Sequence, residues 1–337
     1  MRFFLLILLL FSTLFAEEEQ QPSYQLGEGI QVASLPLYLG GYISLDYTNA
    51  ETFQRYRLDD IALLAYGEYG KLSYMAELEF KEFYAYIQDD NGTNYTQKDT
   101  KLYIERLFGD YTLNENYRFR FGKYNSPIGF WNLLPINVLR ETSSNPLITS
   151  LIFPKFTTGA DITYTSYLPE SEIEIDLILQ NNDSISDDYN NFRDVDEHFG
   201  LGLTYAFDDY TFKLNGGYFH KRTFRKDKER DHYYALVAAR YETEKLQLQT
   251  ELATQRDYDS FSVNYAGYIQ GLYRFTPKHI AIVRFESYDN VEIETKDSIA
   301  IAAYTYRPLY PIAFKSEYQL HSLHSEDKLL FSFSVMF

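Results

Sequence analysis

Residues 199–214 read Phe-Gly-Leu-Gly-Leu-Thr-Tyr-Ala-Phe-Asp-Asp-Tyr-Thr-Phe-Lys-Leu. Phe199, Leu201, Leu203, Tyr205 and Phe207 fall on one side of a period-two repeat; Gly200, Gly202, Thr204 and Ala206 fall on the other. Asp208-Asp209 ends the run, and Tyr210 and Phe212 open the next one. A 180° repeat places each set on its own face of a strand. A two-residue connector can join only antiparallel neighbours.

The same pattern extends in both directions. In Tyr117-Arg118-Phe119-Arg120-Phe121 the aromatics and the arginines take opposite faces. Ile173, Ile175, Leu177 and Leu179 alternate with Glu172, Glu174, Asp176 and Ile178. Val263, Tyr265, Ile269, Tyr273 and Phe275 sit opposite Asn264, Gln270 and Arg274, and Leu329 to Phe337 repeats the motif at the C-terminus. About sixteen strands result, near 38–48, 56–69, 72–87, 101–113, 117–124, 157–167, 172–180, 198–207, 210–220, 232–242, 246–256, 262–275, 280–288, 297–306, 311–320 and 328–337. Segments 56–69, 101–112 and 298–306 are ambiguous in parity, which implies a bulge or a locally apolar interior there.

The connectors alternate in length. Short ones include Gly70-Lys71, Asn114 to Asn116, Leu168 to Ser171, Asp208-Asp209 and Thr243 to Lys245. Between them lie longer ones: seven residues after Thr48, then 88–100, 125–156, 181–197 and 221–231. An up-and-down barrel in a membrane has short turns on one side and longer loops on the other. A soluble sandwich has no reason for that regularity. The mean hydropathy of −0.36 does not oppose this, because membrane strands alternate lipid-facing and lumen-facing residues. The reading is therefore an all-β, transmembrane antiparallel barrel of about sixteen strands, with both termini on the short-turn, periplasmic side. Aromatics gather beside the short turns (Tyr111, Tyr117, Tyr205, Phe207, Tyr210, Phe212, Tyr273, Phe275 and Tyr306) as in an interfacial girdle.

The N-terminus agrees with this compartment. Met1-Arg2 precedes an apolar run from Phe3 to Phe15, and Ala16 meets Glu17-Glu18-Glu19. This reads as a secretory signal peptide over 1–16, too short to span a bilayer as a helix. A periplasmic lead over 17–35 and a barrel over 36–337 follow. The formal charge is −17 and there is no Cys, so disulfides, thiolate metal sites and cysteine nucleophiles are excluded. Nucleic-acid binding is disfavoured by the acidity. No motif for an enzyme or a cofactor occurs. His321 and His324, beside Glu326 and Asp327, read as surface loop rather than a metal site. Asp89-Asp90-Asn91-Gly92-Thr93 matches a glycosylation sequon on an external loop.

Three stretches carry a resemblance: Arg57 to Tyr69 (Arg-Leu-Asp-Asp-Ile-Ala-Leu-Leu-Ala-Tyr-Gly-Glu-Tyr), Arg120 to Gly129 (Arg-Phe-Gly-Lys-Tyr-Asn-Ser-Pro-Ile-Gly), and Tyr306 to Pro311 leading into Lys315-Ser316-Glu317-Tyr318. On these the chain resembles the Gram-negative porins, in particular the phosphate-selective porin O and P family. The resemblance implies a sixteen-stranded outer-membrane barrel, a homotrimer, and a third loop folded into the pore. The terminal Phe337, with Val335, Phe333 and Phe331 on its face, is similar to the signal that outer-membrane barrels present to their assembly machinery.

The longest connector, 125–156, independently reads as that loop. It is rich in Pro and bulky apolar residues, among them Pro127, Phe130, Trp131, Leu133, Leu134 and Phe153. A loop of this kind must bury one side, and the inner wall or a neighbouring subunit is available. The expected function is a water-filled channel for small hydrophilic solutes and ions. Constriction candidates are Arg118, Arg120, Lys123, Arg140, Glu141 and Lys155. Parity places Glu77, Glu79, Glu174, Asp176, Lys213, Arg240, Arg274, Arg284, Lys315 and Glu317 on the lumen wall, with Glu172, Glu251 and Glu286. Opposed charges across a pore set its ion preference, although such residues also pair and simply line a solvated wall. The mixed lumen and the acidic loop 181–197 argue against carrying over phosphate selectivity. A substrate-specific or anion-selective channel, and a non-transporting adhesin, remain as alternatives.

Overall fold

The computed structural model describes residues 24–185, 195–221, 230–258, 260–323 and 326–337. The expected signal peptide, residues 17–23 of the lead, Asp187, Asp188, Asp194 and His324 lie outside the described residues.

Among the described residues, sixteen long strands close into one antiparallel barrel. They are β1 (Tyr38–Ala50), β2 (Phe53–Tyr69), β3 (Leu72–Asp89), β4 (Leu102–Thr112), β5 (Tyr117–Asn125), β6 (Phe156–Leu168), β7 (Ser171–Asn181) and β8 (Val195–Phe207). The second half comprises β9 (Tyr210–Lys221), β10 (Arg230–Glu242), β11 (Leu246–Arg256), β12 (Phe261–Thr276), β13 (His279–Asn290), β14 (Thr295–Tyr306), β15 (Ile312–His321) and β16 (Lys328–Met336). Each strand pairs with the next, and β16 returns to β1 from Lys328↔Ala50 to Met336↔Tyr42. Phe337 extends this seam by exchanging two backbone hydrogen bonds of 2.8 Å with Gly41. Closure removes the open edges whose unpaired amides and carbonyls a bilayer would not tolerate. A small ribbon, Tyr24–Gln25 with Gly29–Gln31, pairs onto the start of β1.

The expected strands are all present, with ends within three residues of the sequence reading. One connector differs. The first loop on the long side is only residues 51–52, because β1 and β2 continue to pair as far as Asn49↔Gln54. Arg55, within this extension, lies 3.7 Å from Glu82 of β3, and next to it Arg57 is 2.9 Å from Asp46 and 2.6 Å from Glu82.

Two of the three ambiguous segments contain register shifts. One lies between Leu58 and Asp60, opposite Glu82, whose φ is +48°. The other leaves Glu105 of β4 without a partner opposite Glu77 and Leu78. The third, 298–306, pairs regularly. Its ambiguity comes from Ile299 and Ile301, which turn inward and are buried, so the lumen is locally apolar there.

The outward face is apolar. Leu201, Leu214, Val237, Leu252, Ile269 and Val283 are all exposed on it. Rings pack along the short-turn rim, including Phe207 with Tyr210 at 5.3 Å, Tyr210 with Tyr241 at 4.9 Å and Tyr117 with Tyr164 at 5.0 Å. A second belt at the other rim includes Tyr47 with Tyr56 at 4.7 Å and Tyr218 with Tyr233 at 5.4 Å. Tyr233 and Tyr241 lie on the same strand at opposite rims. At ~3.3 Å per residue and a tilt of about 40°, their separation spans roughly 20 Å of height, close to the apolar band of an outer-membrane barrel.

Candidate functional site

Loop 126–155 begins at the end of β5 and turns into the barrel. Its root is closed by a chain of buried hydroxyl and imidazole groups. Ser126 Oγ donates to the Pro154 carbonyl at 2.6 Å and lies 2.8 Å from Thr157 Oγ1. Thr157 Oγ1 is 2.9 Å from His198 Nδ1, and His198 Nε2 is 2.9 Å from the Tyr234 hydroxyl.

The apolar residues that marked this loop in sequence face the inner wall. Ile128, Phe130, Ile148, Ile152 and Phe153 pack on Ile178, Phe219, Tyr234, Leu236 and Tyr268 of β7 to β12. Further along, Ile136 and Val138 pack on Tyr42, Ala62, Leu64 and Ala313. Each buried side chain of this size contributes ~1.5–3 kcal/mol, so the loop is held as firmly as a core element.

Charged wall residues complete the attachment. Glu251 accepts the backbone amides of Phe130 and Trp131 at 2.9 and 3.0 Å. Glu317 accepts those of Ser143 and Ser144 at 2.9 and 3.2 Å, and also the Ser144 hydroxyl. Glu286 accepts the amide of Leu147 at 2.9 Å. Arg284 donates to Thr142 and Ser144, Lys315 to both oxygens of Asn137, and Arg307 to the carbonyls of Val138 and Arg140. The loop backbone therefore finds in the wall the partners that a buried irregular segment requires.

A cavity of about 280 Å³ remains between the loop and β1 to β4. The loop side supplies Asn137, Arg140, Ser143, Asn145 and Lys155; the wall supplies Tyr42, Arg57, Asp59, Asp60, Glu77, Glu79, Lys81 and Glu105. Five carboxylates thus face four cations, and most are paired. Lys81 lies 2.7 Å from Glu105 and 3.3 Å from Glu79. Tyr42 donates to Glu77 at 2.6 Å and Glu79 at 3.0 Å, and Arg106 holds Glu77 at 2.5 Å. Arg57 bridges Asp46, Asp59 and Glu82. On the loop, Arg140 donates to the carbonyls of Leu134 and Pro135. The Lys155 ammonium sits 4.7 Å from the Phe156 ring centroid.

The sequence candidates separate into groups. Arg140 and Lys155 line this cavity with Glu77 and Glu79. Lys123 is fully buried at the loop root, 5.0 Å from the Phe156 ring. Glu141 is 3.2 Å from Arg307 and lines a second cavity on the other face of the loop with Lys213, Arg240 and Arg274. Arg118 and Arg120 lie nearer the short-turn end. There Arg120 chelates Asp110 at 2.6 and 2.7 Å, and Arg118 donates to Thr163 at 3.0 Å. Asp176 is buried beside the same Thr163, and Glu174 lies on the lumen face of β7. Arg284, Lys315 and Glu317 serve the loop.

The lumen-wall reading omits Arg57, Asp59, Asp60, Lys81 and Glu105. Asp59, Asp60 and Glu105 sit at the two bulges, where consecutive residues turn inward and a strict period of two loses count; Arg57 lies in the same ambiguous segment, and Lys81 keeps the parity of Glu77 and Glu79. Except at Lys81, the available signal was the parity ambiguity itself.

His321, expected in a surface loop, instead ends β15 and is buried, 2.6 Å from Asp297 near the long-loop rim. Among the described residues, no group of three or more His, Cys, Asp or Glu side chains could hold a metal ion.

No protein-family model matches the chain, and no curated protein does. Solved structures do. An anion-selective porin from Comamonas acidovorans superposes with a TM-score of 0.60 at 10% identity, over 89% of this chain and 99% of that one. OmpF of Salmonella typhi, in complex with daunomycin, gives 0.58 at 11% over 94% and 100%. The outer membrane channel DcaP of Acinetobacter baumannii gives 0.56 at 12% over 89% and 97%. At these identities the likeness establishes the fold, a closed sixteen-stranded barrel of the porin type. The likeness to the phosphate-selective family rests on the quoted motifs alone.

Proposed function

We propose that the chain is a porin of a Gram-negative outer membrane, exported on its signal peptide, through which small hydrophilic solutes and ions diffuse passively. The observation that carries this reading is the placement of loop 126–155. It is hydrogen-bonded to the inner wall at β11, β13 and β15 and packs on β1 and β2 through Ile136 and Val138, and a polar, charge-lined cavity is left between it and β1 to β4. Five carboxylates and four cations lining one cavity suit a solvated lumen better than a dry, sealed core.

The same charges argue for weak ion selectivity. They nearly balance and are mostly paired, so the field across the gap is local rather than of one sign. This departs from the concentrated Arg/Lys cluster that phosphate uptake requires. A homotrimer and delivery by the barrel-assembly machinery through Phe337 belong to the same reading.

The test is single-channel current from the purified mature protein in a planar bilayer under a KCl gradient. Stepwise conductance with a reversal potential close to zero is expected. Silence from correctly folded, heat-modifiable protein overturns the channel reading. A large reversal potential keeps the channel and overturns weak selectivity.

A further inference from the structure

The loop has a second face, turned toward the short-turn end, and a cavity of about 420 Å³ lies beneath it. That size falls in the range of small-molecule sites, ~300–1,000 Å³. Its two sides differ in chemistry. The loop side presents Phe130, Trp131, Leu133 and Leu134. Leu133 and Leu134 are 43% and 37% exposed although they lie inside the barrel, where no lipid can cover them. Nothing in the fold requires apolar side chains there: the loop is already held by its buried face.

The wall side presents Lys213, Arg240 and Arg274, with the amides of Gln247, Gln249 and Gln270 between them. Arg274 is 3.1 Å from Glu242. Arg240 lies with its guanidinium carbon 4.2 Å from the Phe130 ring centroid and donates to Gln249 at 2.8 Å. Lys213 is 9% exposed, and its ammonium has no hydrogen-bond partner among the described residues; the Phe130 ring centroid is 5.7 Å away. Two carboxylates share the lining. Glu242 lies between Arg274 at 3.1 Å and Arg240 at 3.9 Å, and Glu141 is held by Arg307. Asp176, Glu174 and Glu251 act on Lys213 from beyond the cavity, and Glu251 is occupied by two loop amides and Tyr268. The wall side therefore presents three cations against the single carboxylate of Glu242, with the Lys213 ammonium the one not hydrogen-bonded among the described residues, and the loop side is apolar apart from Glu141.

We propose that this cavity binds a small aromatic carboxylate, the carboxylate on Lys213 and Arg240 and the ring against Leu133, Leu134 and Phe130. An inorganic anion such as phosphate would strand its hydration shell against the leucines. A neutral aromatic would leave the Lys213 ammonium without a partner, and an aromatic cation would be repelled by it. Only a solute with one apolar and one anionic end uses both sides. The proposal deepens the porin reading and rests on it for the solute's route, whereas binding itself does not require conduction.

Trp131 lines the cavity and is the single tryptophan of the chain, so its emission reports occupancy directly. The experiment titrates the refolded, heat-modifiable full barrel with 4-nitrobenzoate, 4-nitrobenzyl alcohol and 4-nitrobenzylammonium at fixed ionic strength. Saturable quenching by the carboxylate is expected, about tenfold tighter than by the alcohol or the amine. Inorganic phosphate should not compete. Lys213→Met and Leu134→Ser should each weaken the carboxylate several-fold; Leu134 is exposed, so its replacement leaves folding intact. Linear quenching equal for the three probes, competition by phosphate, or unchanged affinity in both variants overturns the proposal. Conductance of the same preparations separates the two readings. Binding without current removes the channel and keeps the site; current without discrimination among the probes removes the site and keeps the channel.

Discussion

The carboxylate of Glu251 on β11 accepts the backbone amide of Phe130 at 2.9 Å, across the lumen from the loop's root in β5. The same oxygen accepts Trp131 N at 3.0 Å and the Tyr268 hydroxyl at 2.7 Å. A residue that parity assigned to a lumen wall is thus an anchor for the loop. Replacing it by Leu leaves two buried amides without an acceptor, each costing ~1–3 kcal/mol. That strain is relieved by local release of the loop rather than by opening the barrel, whose ladder is untouched. Glu251→Leu is therefore expected to raise single-channel conductance and current noise while the barrel stays heat-modifiable. Unchanged conductance would show that the loop is held by apolar contacts alone.

The charge pairs beside β1 to β4 give a prediction with opposite signs. Asp60 accepts a hydrogen bond from Ser44 at 2.8 Å and faces the cavity. Asp60→Asn keeps that partner and removes one negative charge, so permeability should move toward anions. Lys81→Met removes the cation between Glu79 and Glu105, so it should move toward cations. Reversal potentials under a KCl gradient read both shifts. Movement of both variants in the same direction would place the selective charges elsewhere in the lumen.

Two glycines are fixed by close approach. Gly122 on β5 has φ +123°, and a Cβ there would lie 2.1 Å from the Leu107 carbonyl oxygen. Gly129 in the loop has φ +65°, and a Cβ would lie 2.2 Å from the Glu251 carboxylate. Neither conformation suits an L side chain. Gly122→Ala strains a strand in the barrel wall and should lower the yield of folded, heat-modifiable protein. Gly129→Ala strains only the loop, and the flexible Glu251 side chain can move aside. It should fold and show the conductance of a loosened loop. Equal folding yields for the two variants would contradict this division.

Much of this was legible in the sequence, and the exceptions share a cause. Alternation in segments such as Phe199 to Phe207 fixes strand and face together, since a side chain on a strand has only two choices. Loop 126–155 stood out by its length and by Phe130, Trp131 and Phe153, which need a surface to cover them. What parity could not reach was the wall of the cavity. Asp59 and Asp60 both turn inward at a bulge, and Glu105 stands at another, where one extra residue reverses the count. Nor could parity distinguish a free lumen charge from one consumed by the loop. Glu317 and Lys315 were placed on the correct face, but their partners, Ser144 and Asn137, are 173 and 178 residues away in sequence.

Phe337 closes the barrel through its backbone and, in the proposed reading, carries an assembly signal through its ring. These roles can be separated. Its amide and carbonyl each bond to Gly41 at 2.8 Å, and Phe337→Ala preserves both. Deleting the residue removes both, a loss of about 1–3 kcal/mol at ~0.5–1.5 kcal/mol per bond. The seam continues along β16 and β1 from Met336 to Lys328, so even the deletion should leave a barrel that refolds in detergent, with a lower unfolding temperature. Phe337→Ala should unfold close to the wild-type temperature. If the ring is read during assembly, both variants should be depleted from the outer membrane of expressing cells. Depletion of the deletion variant alone would mean that seam stability decides abundance, and that the ring is not recognised.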